Sequence, residues 1–469
     1  MDYELLIVGS GPAGQQAAWQ AARLGKRVAM VERKPSLGGA GLQTGTIPSK
    51  ALREVAFFAS RAGERGMRGA FGRAIANRHA MLGDAMRRKE SVIAKQESVI
   101  LKRLLGSGVA LIPGDASFVD AHTVEIVDAK GGVRRITAEV IVLAAGSRPR
   151  RPESVPFDKQ TVLDSTSVLK LRQLPASMLV VGGGVIACEF VSIFAAMGVE
   201  VTVVDSHAQL LDYLSDDVVG VLAEAFAGMG VRFHMQERVE LIERLEDGGV
   251  RTTLKSGKRI ETDVVLYAQG REPNTAALKP ENAGIELDQG WIAVNGCFQT
   301  NVPHIYAVGD LIGRPALAST GMAQGDAAVL HAFTGETHAT ADNMPMAIYT
   351  IPELSWVGTT EKELRRQGKQ PGVDYVVGRG FFRESARGQI IGENSGMLKM
   401  IVDVRSEKLI GVHIVGESAS ELIHIGQLVM NLGGSVRDLV SNVFNYPTLA
   451  ECYKLASYDC LERLPGNPT

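Results

Sequence analysis

Cysteine is scarce in this chain of 469 residues: Cys188, Cys297, Cys452 and Cys460 are the only four, and no two form a C-x-x-C pair. That excludes a disulfide framework and a zinc site of the C-x-x-C type, and it suits a reducing cytoplasm. Charge of one sign is missing too, since 50 Lys and Arg stand against 52 Asp and Glu, for a formal net charge of −2. Neither a dedicated nucleic-acid binder nor an acidic tail protein is composed this way. Long hydrophobic runs are absent as well. The most apolar stretch, Val180 to Met197, holds Gly182, Gly183, Gly184 and Glu189, too short and too broken for a membrane span. The first residues carry Asp2 and Glu4 and no basic region or small-residue cleavage site, so no secretion signal is expected and the protein is expected to be soluble.

Glycine is abundant instead. Its 52 residues make about 11% of the chain against a usual level of roughly 7%, without a Gly-X-Y period. The excess must serve particular backbone positions. The length, at roughly 150 residues per domain, suggests about three domains.

The apolar run Tyr3 to Val8 has buried-strand length and ends in Gly9-Ser10-Gly11-Pro12-Ala13-Gly14. An alanine-rich helical stretch to Leu24 and a second strand, Arg27 to Glu32, complete a β-α-β unit. Gly9 allows the tight turn, Gly11 lets backbone approach a pyrophosphate, and Gly14 lets helix and strand pack closely. Glu32, 23 residues after Gly9, is placed to accept hydrogen bonds from a ribose. The pattern recurs: the strand Ser177 to Val181, then Gly182, Gly184 and Ala187 as the third small residue, a helix to about Met197, and a strand ending in Asp205, again 23 residues on. Two dinucleotide sites in one chain bring one electron carrier to another, one resident and one exchangeable.

Between the two units, Pro48 to Leu105 reads as long helices with Ala51, Val55 and Phe58 at helical spacing. Twelve Lys and Arg lie between Arg53 and Arg103; they read as a solvated helical face, with a basic partner surface as the alternative. Beyond Ala341, strands at Gly396 to Val404 and Lys408 to Val415 followed by two amphipathic helices predict a mixed α+β domain.

These segments are joined by Gly38-Gly39 through Ile47-Pro48-Ser49-Lys50, Ala145-Gly146-Ser147-Arg148-Pro149, Gly270-Arg271-Glu272-Pro273-Asn274, Tyr306-Ala307-Val308-Gly309-Asp310, and Pro447-Thr448 with Glu451. Together they resemble the flavoprotein disulfide reductases, the family of glutathione reductase and lipoamide dehydrogenase, over essentially the whole chain. The resemblance implies an α/β protein with two Rossmann-like dinucleotide-binding domains, for FAD and NAD(P), plus a C-terminal α+β dimerisation domain. Residues 1–149 and 271–340 would form the FAD domain, 150–270 the NAD(P) domain, and 341–469 the dimer interface. Asp310 would bond the ribityl chain of the flavin, and Ala116, Gly146 and Gly270 would join the cofactor-binding positions. Lys50 and Glu189 resemble the family's ion pair beside the flavin: Lys50 supports its hydride-accepting edge, and Glu189 partners the lysine and neighbours the nicotinamide. An ordinary helix charge is the alternative for Glu189.

The departures from the family pattern bear on function. Its paired cysteines before Ile-Pro-Ser-Lys are here Gly41 and Thr46, neither of which forms a thiolate, so no exchangeable disulfide stands at the flavin. Its His-Pro-Thr is here Tyr446-Pro447-Thr448, and a phenol with an unperturbed pKa near 10 does not replace an imidazole. Glu451 then has no histidine to orient, leaving a bond to Tyr446 or a place in solvent. Cys452 and Cys460, eight residues apart on an expected helix, are about 12 Å apart along its axis and too far to bridge. Cys188 reads as a packing residue, and Cys297 lacks a site motif.

Thr44 to Leu52, with Thr46 among the residues carried over to the catalytic site, resembles the soluble pyridine nucleotide transhydrogenase branch of the family. So do Phe444 to Thr448, Ile348 to Glu353 and Glu421 to Gly426. Gly41 departs from a cysteine that branch members often keep. The resemblance implies ping-pong hydride exchange between NADPH and NAD+ through FAD in a homodimer or larger homo-oligomer, with no nucleic acid, membrane or metal. Asp205 favours NAD(H) and repels a 2′-phosphate. Ser206-His207 follow it, and His207 either meets that phosphate when protonated or is a plain surface residue. An NADH diaphorase or oxidase serving a quinone or oxygen, and a redox-sensing or assembling flavoprotein, are the competing readings.

Overall fold

The computed structural model describes residues 1–64, 78–246, 248–337 and 343–465. Two compact units divide the chain, one from residues 1–51, 86–152 and 269–340, the other from 52–85, 153–268 and 341–469. The expected boundary between residues 340 and 341 lies outside the described residues, as do Arg65, Arg68 and Arg73 of the basic stretch.

In the first unit, Ala110–Pro113, Val28–Glu32, Tyr3–Val8 and the second half of Val133–Leu143 run parallel in that order, with Ile305–Ala307 parallel on the far side. Leu5, Leu6 and Ile7 are fully buried, as a strand covered on both faces requires. The first half of Val133–Leu143 turns to another layer and pairs antiparallel with Thr123–Val127, which pairs with Asp115–Phe118. The helix Pro12–Arg23 opens on Pro12, whose missing amide would have had no helical partner in any case. Its buried Ala13 and Ala17 face the helix Ala318–Thr334 so closely that a Cβ on Gly325 would lie 2.3 Å from the Ala13 carbonyl oxygen.

The second unit holds a parallel sheet in the order Arg232–Met235, Glu200–Asp205, Ser177–Val181, Val264–Tyr267 and Val162–Leu163. It also holds an antiparallel sheet of Met346–Ile348, Leu354–Gly358, Leu409–Val415, Met397–Asp403 and Tyr375–Phe381. The helix Glu451–Arg463 lies against Tyr375–Phe381, and the glycines of that strand permit the approach. A Cβ on Gly378 would meet the Ala456 carbonyl oxygen at 2.1 Å, and one on Gly380 the Cys452 carbonyl oxygen at 2.4 Å.

A buried charge cluster joins parts of this unit. Lys399, on the strand Met397–Asp403, is fully buried and donates to Asp217 at 2.8 and 3.0 Å and to Glu361. Arg379 adds a second cation to Asp217 at 2.7 Å. Burying the ammonium is tolerable because two carboxylates satisfy it. Segments 153–268 and 341–469, distinct in sequence texture, thereby share ion pairs while keeping separate sheets.

The helices Thr46–Glu64 and Arg78–Gly106 fall where the sequence predicts them. The expectation of a solvated basic face fails at Arg53, which is 6% exposed, stacks 4.5 Å from the Phe57 ring centroid, and reaches Glu353 and the Thr350 carbonyl oxygen at 3.3 Å. Arg61, bonded to Glu393 and 2.9 Å from Glu417, is likewise held inside. Helical spacing shows which residues share a face but not what covers it. Among the described residues no helix is long and apolar enough to cross a membrane, and no cluster of metal-ligating groups occurs.

Candidate dinucleotide sites

The first glycine turn leaves the strand Tyr3–Val8 at Gly9, whose φ of +111° is open to glycine and strained for other residues. A Cβ there would lie 2.4 Å from the Ala144 carbonyl oxygen, and one on Gly14 would lie 2.0 Å from the Gly9 carbonyl oxygen. A Cβ on Gly11 would meet nothing within 4 Å, so this glycine keeps open space before the helix amino terminus. Glu32 closes the cradle: its carboxylate accepts from the Ser10 amide at 3.0 Å, the Ser10 hydroxyl at 2.6 Å and the Lys34 amide at 2.9 Å. The bare turn, the free helix terminus and an acid anchored beside them suit a dinucleotide such as FAD. A cleft of about 400 Å³ lined by Asp2, Arg27 and Arg134 lies at the other, amino-terminal end of the same strands.

Asp310 begins the short turn after the strand Ile305–Ala307 and is half-buried. Its carboxylate accepts from the Ser147 hydroxyl at 2.7 Å and lies 3.7 Å from Arg271 Nε. Arg271 donates to the Ser147 hydroxyl and carbonyl oxygen, both at 2.8 Å. Gly146 (φ +68°) and Gly270 (φ +88°) shape the two crossing segments, where the Arg150 amide donates to the Gly270 carbonyl oxygen and the Asn274 amide to that of Gly146. Asn274 Oδ1 is buried without a partner among the described residues, an acceptor open to a bound group. Ala116 spends its methyl on the apolar core.

Of the two positions where the family pattern carries cysteines, Gly41 is closely packed and Thr46 is not. A Cβ on Gly41 would lie 2.9 Å from Pro12 Cγ, so a larger side chain there must displace the proline that opens the first helix. Thr46 is exposed at the start of the helix Thr46–Glu64. Ser49 is turned back to the Gly45 carbonyl oxygen at 2.9 Å, and Lys50 Nζ lies 3.4 Å from the Ser49 hydroxyl.

The second glycine turn repeats the first in the other unit. Gly182 has φ of +118°, a Cβ on Gly184 would meet open space, and the Gly183 amide donates to Asp205 at 2.6 Å. In both turns the residue after the first glycine bonds the acid 22 positions on. Ala187 is 1% exposed at the place of Gly14, so this helix sits far enough from its strand to admit a methyl. His207 crowds the other Asp205 oxygen, with Nδ1 at 2.6 Å and its own amide at 2.8 Å. Cys188 is 1% exposed, and burial together with the Glu189 charge pushes its thiol pKa far up. Packing, not chemistry, is its role.

Glu189 is 6% exposed, which removes the reading as an ordinary helix charge. Its carboxylate accepts from the Tyr349 amide at 3.0 Å, tying it to the segment Tyr349 to Glu353. Burial, followed by the Glu353 charge, raises the Tyr349 phenol above its usual range. At the carboxyl end, Tyr446 is 75% exposed, while Glu451 Oε2 is buried and without a partner among the described residues. That oxygen bonds no phenol among the described residues, while the residue as a whole is half-buried. Cys452 and Cys460 are separately buried free thiols, each pushed up to about 12 by burial.

Sequence reasoning named the glycines and acids but missed their holders. Ser10, Ser147, Arg271 and Gln324, which accepts from the Gly309 amide at 2.8 Å, position the predicted residues. Ser10, Ser147 and Arg271 lie inside the motif segments, so the signal was present without a role attached. Gln324 carries no motif.

Residues 3–325 match the family described as pyridine nucleotide-disulphide oxidoreductase, and residues 344–457 its dimerisation domain. The chain is 44% identical over 465 residues to a protein of Mycobacterium bovis named soluble pyridine nucleotide transhydrogenase, covering 99% of this chain and 98% of that one. It is 40% identical over 467 residues to a protein of the same name from Pseudomonas putida, with 99% of each covered. Among solved structures it is similar to LpdA from Mycobacterium tuberculosis, with TM-score 0.87, 28% identity, and 97% and 98% of the two chains covered. The HOCl-induced flavoprotein disulfide reductase RclA from Escherichia coli, as its Cu(II) complex, gives TM-score 0.86 and 27% identity over 98% and 99%.

Proposed function

The chain belongs to the pyridine nucleotide-disulphide oxidoreductase family, and from that premise we propose that it is an FAD-dependent NAD(P)+ transhydrogenase. It moves hydride between NADPH and NAD+ in either direction. The carrying observation is the pair of glycine turns, each with its acid bonded to the amide after the first glycine, together with Gly41 and Thr46 where a thiol relay would stand. The name of the 44%-identical relative gives the same activity.

FAD, when bound, supplies the two-electron carrier that lets two nicotinamides react without meeting. The chain's own residues bind and orient. The turn Gly9 to Gly14 and Glu32 hold one dinucleotide by its pyrophosphate and ribose, and the Ser147–Asp310–Arg271 cluster holds the middle of that same molecule. Gly182, Gly184, Ala187 and Asp205 hold the exchangeable nucleotide. Lys50 would be the cation beside the flavin, and Glu189 would be the carboxylate of the nicotinamide site. NADPH + NAD+ gives NADP+ + NADH with no net proton, so the reaction needs no titrating base, and none is supplied by a phenol at residue 446.

The protein acts in the cytoplasm as a homodimer built on its dimerisation domain. Reduction of thio-NAD+ by NADPH, with parallel lines in double-reciprocal plots, is the expected result. Absence of flavin-dependent transfer, or turnover of lipoamide or oxidised glutathione, overturns the reading. Asp205 favours one second reading, an NADH diaphorase; rapid NADH oxidation by a quinone without transfer to thio-NAD+ would select it.

A further inference from the structure

Alone, the acid closing the strand Glu200–Asp205 would hold ribose hydroxyls and repel a 2′-phosphate. Here its two oxygens are already engaged. Oδ2 accepts from the Gly183 amide at 2.6 Å, and Oδ1 accepts from His207 through its amide at 2.8 Å and Nδ1 at 2.6 Å. The Asp205 side chain is 9% exposed and the His207 side chain 57%, so the ring stands between the carboxylate and solvent. His207 is not a free surface residue: its carbonyl oxygen accepts from the Gln236 amide at 2.9 Å, which fixes the backbone beneath the ring.

The Nδ1 contact also fixes the tautomer, because a carboxylate accepts only from a protonated nitrogen. The proton that comes and goes is therefore on Nε2. Three charged groups act on this ring: Asp205 beneath it, Asp212 with Oδ2 3.8 Å from Nε2, and Arg238 from the loop after Arg232–Met235. Lys362 is held elsewhere, by the Asp212 carbonyl oxygen at 2.9 Å and the Asp216 carboxylate at 2.8 Å. Two carboxylates against one guanidinium favour the imidazolium, and the hydrogen bond to Asp205 raises the His207 pKa above its usual value.

We propose that His207 sets the choice between NADP(H) and NAD(H): with both nitrogens protonated it masks Asp205 and donates from Nε2 to the 2′-phosphate, and when neutral it presents a lone pair there instead. This deepens the transhydrogenase reading and rests on it. A single pocket then serves both nucleotides, with NADP(H) favoured at low pH and NAD(H) increasingly favoured as pH rises through the raised His207 value.

Titration calorimetry of the holoprotein with 5′-AMP and adenosine 2′,5′-bisphosphate between pH 6 and 8.5 tests this without turnover. The wild-type preference for the bisphosphate should fall about tenfold across that range, the lower end of what one hydrogen bond to a charged group is worth. The phosphate's own second ionisation, near pH 6, works in the opposite direction. His207→Asn, whose amide nitrogen takes the place of Nδ1, should show a weaker preference that changes little with pH. His207→Arg should keep the preference at every pH. A wild-type preference that does not fall with pH, or a His207→Asn protein that follows the wild type, overturns the proposal. Failure of either adenosine phosphate to bind the wild type instead overturns the dinucleotide reading beneath it.

Discussion

His413 is fully buried in the antiparallel sheet, and neither ring nitrogen has a partner among the described residues. It stands opposite Lys399 on one side and Trp356 on the other. Burial, then the Lys399 charge, pushes its pKa from 6.5 down to about 3. The unfolded chain therefore binds a proton below pH 6.5 that the folded chain refuses. Stability is fully present above pH 6.5 and is lost as pH falls towards 3. For one group with these two pKa values the loss is about 2 kcal/mol at pH 5 and about 4 kcal/mol at pH 3. His413→Leu removes the titration and replaces two unbonded nitrogens with apolar atoms of similar volume, a change close to neutral at pH 7. The chain has three tryptophans, and a Trp19→Phe, Trp291→Phe background leaves Trp356 to report on this sheet. Urea unfolding at fixed protein concentration should show the variant gaining about 2 kcal/mol on the parent between pH 7 and pH 5. Parallel loss of stability in the two proteins would refute the reasoning, since every other titrating group is common to both.

Lys399→Met should destabilise the protein by about 3 kcal/mol, because it removes the buried cation shared by Asp217 and Glu361 and leaves them only the more exposed Arg379 and Arg365; chemical denaturation at pH 7 measures it, and a loss under 1 kcal/mol would contradict the cluster's role. Gly14→Ala, which sets a methyl 2.0 Å from the Gly9 carbonyl oxygen, should yield protein with little bound flavin, whereas Ala187→Gly at the matching place should keep its flavin; the ratio of visible to ultraviolet absorbance of each purified protein is the check. Ser147→Ala removes the hydroxyl that joins Asp310 to Arg271 and should weaken FAD retention by about 1 kcal/mol, or roughly fivefold, in equilibrium dialysis.

The strand, turn, helix and strand of each nucleotide unit were legible because they are local. Segment lengths bring Glu32 back to Ser10 and Asp205 back to Gly183 over 22 residues each, so the spacing in sequence is already the geometry. The strands beyond Ala341 were legible for a similar reason, and Met397–Asp403 and Leu409–Val415 fall within a residue of where alternation places them. Arg53 was misjudged because a basic residue on a helix is usually solvated, and its Phe57, Thr350 and Glu353 surroundings are mostly remote in sequence.

By itself the sequence determined where the two glycine turns stand, which acids close the two cradles, and that no thiol stands at residues 41 and 46. Those are properties of residue type and short spacing, fixed before any packing occurs. Only the tertiary structure decided what each charge faces. Ser147 meets Asp310 across 163 residues, and Lys399 meets Asp217 across 182. His207 lies two residues from Asp205, yet its place above a buried carboxylate depends on a neighbouring loop through Gln236. Desolvation and Coulomb energy depend on distance in space and on access of water, and spacing along the chain fixes neither.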